Sequence, residues 1–153
     1  MTTPTEIVLT QPPSPGMAAM RYVAVLLGSL GALLAAVLAL NLPAATLHQV
    51  DEPQLCEALG LTNRPVWIAP PGFNDSAIVQ VDSEAEVLGA RPDFAKLKTI
   101  QRMAIVTAKG EEQDIASRVF VPYAGIDEDP VTGSAHGAPV PYWAERLGRT
   151  EFT

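Results

Sequence analysis

The chain has 153 residues, 48% hydrophobic side chains and a formal net charge of −7, which fits one globular domain and excludes a wholly disordered chain. Its acidic excess lies within residues 41–153, and no basic stripe occurs, so nucleic-acid binding is not expected. One cysteine, Cys56, excludes an intrachain disulfide and a cysteine-based zinc site, and the two histidines lie far apart without ligand spacing, so no metal site is expected.

The N-terminal segment is the part of the sequence least typical of a globular domain. Residues 1–20 are rich in Thr and Pro and are expected to form a disordered tail. Residues 22–40 carry no charge and follow Arg21, which predicts an apolar helix over residues 21–40, long enough for a membrane anchor or an uncleaved signal. The alternatives are a buried helix or strand pair of a soluble domain, with a turn near Gly28, and non-native sequence preceding the domain.

The remaining residues, 41–153, combine short apolar runs with turn and capping signals. The predicted strands cover residues 40–44, 66–69, 77–81, 103–107 and 117–121. The predicted helices run from Asp51 to a stop at Gly60, from a capping box at Ser83 to Gly89, and onward from Pro92. Because the helices do not alternate strictly with the strands, we predict an α+β fold with a mixed sheet. Cys56 shares a helix face with apolar neighbours and is expected in the core, not as a nucleophile.

One polar segment, residues 127–134, follows a predicted strand and is expected to lead into a helix. Pro130 fixes a backbone angle, Gly133 allows a turn and a close approach to a ligand, and Thr132 and Ser134 supply hydroxyl groups. Together with the unpaired N–H groups of a helix start, these residues predict a seat for a carboxylate or phosphate. Asp129 beside the seat could position a substrate amine or hydroxyl, or hold the loop.

The same residues are also typical of an ordinary acidic helix cap with a glycine turn, and that alternative stays open. The segment is not a P-loop, because the Gly-Lys-Ser/Thr ending is absent, and it is not a nucleophile elbow, because the pattern Gly-x-Ser-x-Gly is absent around Ser134. His136 lies one turn into the predicted helix and is expected to be a packed or capping histidine more than a base.

Residues 129–136, Asp-Pro-Val-Thr-Gly-Ser-Ala-His, and then residues 141–148 closely resemble the PhzF-like (phenazine-biosynthesis-type) isomerase family. Four upstream pieces resemble the family in the same order: residues 40–44, 79–86, 91–94 and 105–108. The resemblance implies a diaminopimelate-epimerase-like fold, in which two α+β lobes each wrap a curved sheet around a central helix. Residues 41–153 would then form an incomplete copy of the C-terminal lobe.

The resemblance also implies a cofactor-independent isomerase or epimerase that moves a proton by acid–base chemistry on a small carboxylated metabolite. Asp129 and Ser134 match the aspartate and serine that this lobe contributes to the active site. Thr132, Gly133, Ser134 and His136 are the residues expected to bind the substrate. The family resemblance further implies a cytoplasmic protein, against the alternative of a membrane anchor through residues 22–40. A homodimer is left open.

Several features depart from the family pattern. The N-terminal lobe, whose glutamate moves the proton and which also carries a histidine, has no counterpart in these residues, and Pro139 stands inside the predicted helix, where it would remove a backbone hydrogen bond. We therefore expect a truncated or inactive form of the isomerase. A non-catalytic membrane-anchored remnant and a small-anion-binding module remain alternatives.

Overall fold

The computed structural model describes residues 7–9, 19–25, 37–71 and 75–152. The strands are β1 Ile7–Leu9, β2 Ala19–Val25, β3 Val37–Pro43, β4 His48–Val50, β5 Val66–Ile68, β6 Ser76–Gln80, β7 Met103–Lys109, β8 Ile115–Phe120 and β9 Glu151–Phe152. The α-helices are α1 Pro53–Ala58, α2 Glu84–Gly89, α3 Phe94–Ile100 and α4 Pro139–Leu147, and two 3-10 turns cover Pro122–Ala124 and Gly133–Gly137.

A mixed sheet in the order β4-β5-β6-β7-β8 forms the centre of the fold. β6 and β7 are parallel, because α2 and α3 carry the chain back between them, and the other neighbours are antiparallel. This sheet and its helices confirm the predicted α+β class. The short edge strand β4 was not predicted, since its three residues are exposed or half-buried and give no apolar pattern.

Both faces of this sheet are covered, and alternate residues of its central strands point to opposite layers. On one face, Ala104 and Val106 of β7 pack with α1, α2 and α3. On the other, Ile105 packs with α4 and with the 3-10 turn Gly133–Gly137. The polar segment that precedes α4 therefore lies against a rigid sheet, over the second of these faces.

Two polar contacts seat α4 on the sheet. The indole Nε1 of Trp143 donates to Thr107 Oγ1 at 3.0 Å, and Thr107 is fully buried on β7. The hydroxyl of Tyr142 donates to Gln80 Oε1 at the end of β6. Buried Trp and Tyr side chains usually find a partner for their polar atom, and here both partners belong to the sheet. These contacts fix the rotation of α4 about its own axis.

The segment that was predicted to be one helix with Pro139 in its interior consists of two separate helical pieces. A five-residue 3-10 turn, Gly133–Gly137, comes first, and α4 then begins at Pro139 itself. Proline is well tolerated in the first turn of a helix, where its missing N–H would have no intrahelical partner. The expectation that Pro139 removes a helical hydrogen bond is therefore wrong.

A second sheet has the order β3-β2-β1-β9, with every neighbouring pair antiparallel. Of the predicted apolar helix over residues 21–40, the structure describes residues 21–25 and 37–40, which lie in the paired strands β2 and β3. Residues 26–36 of that prediction lie outside the described part of the chain, as does most of the predicted tail, residues 1–20, although Ile7–Leu9 is a strand. Among the described residues, no helix is long and apolar enough to span a bilayer.

The capping signals in the sequence were correct at Ser83 and Gly60 and wrong at Asp51 and Pro92. Ser83 caps α2 by accepting a hydrogen bond from the Glu86 amide at 3.2 Å, as its capping box predicts. Gly60 follows α1 with φ +69°, the left-handed conformation that a glycine stop needs. The third helix is capped by Asp93, so Pro92 precedes it instead of opening its first turn. The N-cap of α1 is Glu52, so Asp51, which was predicted to begin this helix, lies one residue before the cap.

Candidate functional site

The loop that follows β8 leaves the sheet and returns to it within ten residues. Val121 and Ile126 form a single β-bridge, and the Asp129 amide donates to the Val119 carbonyl at 3.0 Å. Between them, Gly125 takes the left-handed conformation at φ +89° and ends the 3-10 turn. Asp129 is therefore fixed to the sheet by its own backbone, although the loop before it is exposed.

The carboxylate of Asp129 turns back onto the loop that carries it. Its Oδ1 accepts a hydrogen bond from the Val131 amide at 3.0 Å, the geometry of an Asx turn ahead of Pro130. The Thr132 hydroxyl and then this amide hold the pKa of Asp129 below its ordinary value. Thr132 Oγ1 itself is buried and has no hydrogen bond of ordinary geometry, so the Val131 amide is the firmer of the two contacts. Asp129 is an ionised carboxylate at neutral pH.

The imidazole of His136 closes the turn that follows. Its Nδ1 lies 3.1 Å from the Thr132 carbonyl and 3.2 Å from the Gly133 carbonyl, and since both are acceptors, Nδ1 carries the proton. The Ala135 amide also bonds the Thr132 carbonyl, at 3.1 Å. This arrangement is that of a histidine which caps and orders a turn. It agrees with the capping alternative and leaves the predicted role of His136 in substrate binding as a prediction.

Gly133 and Ser134 are exposed at the start of the 3-10 turn. A Cβ built on Gly133 would meet no atom within 4 Å, and its φ is outside the left-handed region, so the fold itself does not require glycine here. The predicted helix start is a 3-10 turn of five residues, so the dipole of α4 does not act at Ser134. The predicted binding site for a carboxylate or phosphate would therefore depend on the local amides and hydroxyls, and it stays a prediction.

Glu128, which precedes Asp129, forms an ion pair with an arginine. Arg118 of β8 donates from Nε and Nη2 to the two Glu128 oxygens at 2.7 and 2.8 Å. This bidentate pair lowers the pKa of Glu128, with the hydrogen bond as the larger cause. Glu128 is thus held as a charged structural partner. Sequence reasoning missed Arg118, and its one signal was an arginine within an otherwise small and apolar strand.

The structure brings most of the predicted site residues together. Asp129, Thr132, Gly133 and His136 are linked through the contacts of a single loop and turn, and Ser134 lies on the same turn. The other end of that turn is anchored by the Ala45 amide, which donates to the Gly137 carbonyl at 2.9 Å. Within the part of the chain that the structure describes, no group of three or more His, Cys, Asp or Glu side chains is arranged to hold a metal ion.

Comparison with known proteins places these features in a family. Residues 33–153 match the family model PhzC-PhzF, described as phenazine biosynthesis-like protein. Over 118 residues the chain is 45% identical to one uncharacterized isomerase of Pseudomonas aeruginosa and 42% identical to a second. It is 47% identical over 86 residues to a human phenazine biosynthesis-like domain-containing protein, covering 52% of this chain and 28% of that protein.

Solved structures show the same likeness. A PhzF-family phenazine biosynthesis protein from Enterococcus faecalis superposes with a TM-score of 0.59 at 35% identity, over 71% of this chain and 40% of that one. A PhzC/PhzF protein described as putative, from Clostridium difficile, gives a TM-score of 0.60 at 27% identity, over 86% and 45% of the two chains. The match to each Pseudomonas isomerase covers 76% of this chain and 44% of the relative, so the chain spans less than half of their length.

Proposed function

The chain belongs to the phenazine biosynthesis-like PhzC-PhzF family, and on that premise we propose that residues 129–136 form the substrate-holding part of an isomerase active site. The substrate would be a small metabolite that carries a carboxylate and an amine or hydroxyl. The reaction class is proton transfer between carbons without a cofactor. We further propose that this chain alone binds such a molecule without turning it over.

The observation that carries the proposal is the state of Asp129. Its pKa is lowered and its carboxylate is fixed by the Val131 amide, so it presents a stable negative charge at the sheet edge. Such a carboxylate suits a substrate amine or hydroxyl, which it can orient as a hydrogen-bond acceptor. The neighbouring residue Val131 is 83% exposed, and its side chain supplies an apolar surface for the carbon skeleton of the same ligand.

Gly133 and Ser134 supply the complementary half of the recognition. Both residues are exposed, their backbone amides and the Ser134 hydroxyl are groups that suit a ligand carboxylate, and the open space where a Cβ of Gly133 would lie permits a close approach. A ligand with its amine on Asp129 and its carboxylate on Ser134 would be held at two points. Two-point binding is what orients a reacting carbon.

The lack of turnover follows from the carboxylates of this loop. A general acid or base works best with a pKa close to the working pH, but the pKa values of Asp129 and Glu128 are both lowered. Glu128 is also bonded to Arg118 through both oxygens. The family resemblance assigns the proton transfer to a glutamate of another lobe, and neither of these two residues replaces it.

The proposal is tested by binding of anthranilate, a stable aromatic amino acid with an adjacent amine and carboxylate. We expect anthranilate to shift the amide NMR resonances of Val131, Gly133 and Ser134. Asp129→Asn and Ser134→Ala should each raise the Kd by about tenfold, since each removes a hydrogen bond to a charged group. Gly133→Ala should raise the Kd through the added methyl while leaving the fold intact, because that methyl meets open space.

Gly89→Ala is the matched control, because a Cβ at Gly89 also meets nothing within 4 Å and this position lies on α2, outside the loop. It should leave the Kd unchanged. Binding that is equal in all four variants, or resonance shifts confined to other parts of the chain, would remove the basis for a substrate site at this loop.

A further inference from the structure

Arg118 makes contacts that reach well beyond its ion pair with Glu128. Its Nη1 donates to three backbone carbonyls at the end of α2, those of Val87, Leu88 and Ala90, at 3.2, 3.3 and 3.1 Å. Its guanidinium also lies over the ring of Phe120, 4.9 Å from the centroid. The side chain of Arg118 thus links β8 both to the end of α2 and to Glu128, the residue immediately before Asp129.

We propose that Arg118 is a positioning residue for Asp129, which holds the substrate-binding loop in register with the helical layer through Glu128. This inference rests on the proposed function of Asp129. The contacts of Asp129 itself, to the Val119 carbonyl and the Val131 amide, stay within β8 and its loop. The Arg118–Glu128 pair ties that loop to α2.

The geometry requires arginine at this position. The planar fork of a guanidinium offers Nε and Nη2 to a carboxylate while Nη1 points elsewhere, and Arg118 uses both directions at once. A lysine has one compact ammonium group and cannot form the paired bonds to Glu128 while also reaching α2. Lysine should therefore restore the charge but only part of the positioning.

The end of α2 does not depend on Arg118 alone. Arg91 also donates to the carbonyls of Leu88 and Ala90, each at 3.2 Å. Replacing Arg118 therefore leaves α2 with a second cation at its C-terminal end, where positive charge is favourable. The main effect of the replacement should fall on the loop and not on the helix.

A merely structural ion pair would behave differently from a positioning pair. The side chains of Arg118 and Glu128 are 22% and 38% exposed, and partly exposed pairs add little to global stability. Their loss would then alter hydrogen exchange slightly and evenly along the chain. A positioning role instead predicts a local change, concentrated at Asp129 and Val131.

The test is amide hydrogen exchange, followed by NMR, in Arg118→Gln, Glu128→Gln and Arg118→Lys. The amides of Asp129 and Val131 report the loop directly, because one bonds the Val119 carbonyl and the other the Asp129 carboxylate. We expect both to exchange about fivefold faster in the two glutamine variants, after correction for global stability, and less so in the lysine variant. Glu128→Gln tests the same contact from its more exposed side if Arg118→Gln does not fold.

Arg64→Gln is the matched control. Arg64 also pairs with an acidic residue of α2, Glu86, at 2.6 Å, and with Asp82 at 2.5 Å, and neither of these partners belongs to the loop. It should leave exchange at Asp129 and Val131 unchanged. Unaltered exchange at these amides in the glutamine variants, or an equal acceleration in Arg64→Gln, would overturn the positioning role.

Ligand binding gives a second measurement on the same variants. Arg118→Gln should raise the Kd for anthranilate by the factor by which it lowers the fraction of molecules with an ordered loop, while Arg64→Gln should leave the Kd unchanged. If anthranilate does not bind the unmodified chain, the proposed function fails, while the exchange comparison still decides whether Arg118 positions the loop.

Discussion

Replacing Thr107 with valine removes a buried hydroxyl that joins α4 to the sheet. Thr107 Oγ1 accepts from Trp143 Nε1 at 3.0 Å and donates to the Ala116 carbonyl at 2.8 Å, and Thr107 and Trp143 are 0% and 5% exposed. Valine keeps the shape but leaves the indole N–H without this partner inside the protein. An unsatisfied buried donor costs about 1–3 kcal/mol, so we expect Thr107→Val to lower the free energy of unfolding by about 2–3 kcal/mol.

Urea unfolding followed by tryptophan fluorescence measures this loss. With a slope of about 2 kcal/mol per molar urea, the midpoint should fall by about 1–1.5 M. Thr107→Ser is the matched control, because it keeps the hydroxyl and loses one methyl group, worth about 1 kcal/mol. In a Trp143→Phe background, which has no indole N–H, Thr107→Val should cost clearly less. An equal cost in both backgrounds, or a cost no larger than that of Thr107→Ser, would refute the reasoning.

Three further predictions concern Tyr142, Glu128 and Pro139. Burial raises the pKa of Tyr142 to about 12. Its contribution to the free energy of unfolding should therefore be fully present below about pH 10 and be lost as the pH rises from there. Ultraviolet absorbance should show the phenol titrating later than a free tyrosine. Because the pKa of Glu128 is lowered, its small contribution to stability should be present above pH 4–5 and lost as pH falls. Glu128→Gln should therefore remove only a small part of the acid limb of a urea-midpoint profile. Pro139→Ala should change the urea midpoint little, because Pro139 lies in the first turn of α4. If Pro139 lay inside the helix, its replacement by alanine would instead raise the free energy of unfolding by about 3 kcal/mol.

The elements that could be predicted from sequence are those whose signals are local. Ser83 and Gly60 act within one turn of their own helices, and the structure confirms both. The buried strand β7 also followed from a short apolar run, since its residues are covered on both faces. The loop at Asp129 was identified because its residue types and spacing are specific enough to carry a family resemblance.

The features that could not be predicted depend on contacts between distant parts of the chain. Arg118 donates hydrogen bonds to carbonyls about thirty residues away at the end of α2, as well as to Glu128, and no local sequence pattern predicts these contacts. The division before Pro139 was missed because the sequence from Ser134 onward reads as one helix. The uncharged run 22–40 had the length of a membrane helix, yet its described ends pair as strands, with Tyr22 opposite Leu40.

The central claim is that this chain holds an isomerase substrate without moving its proton, and carbon-bound deuterium tests it most directly. The purified chain is incubated with a dihydro-hydroxyanthranilate in deuterated water, and both the amide resonances of Gly133 and Ser134 and the substrate's carbon-bound protons are followed by NMR. We expect shifted amide resonances and no deuterium on carbon. Incorporation that disappears in Asp129→Asn would show that these residues contain a complete active site, and would contradict the account.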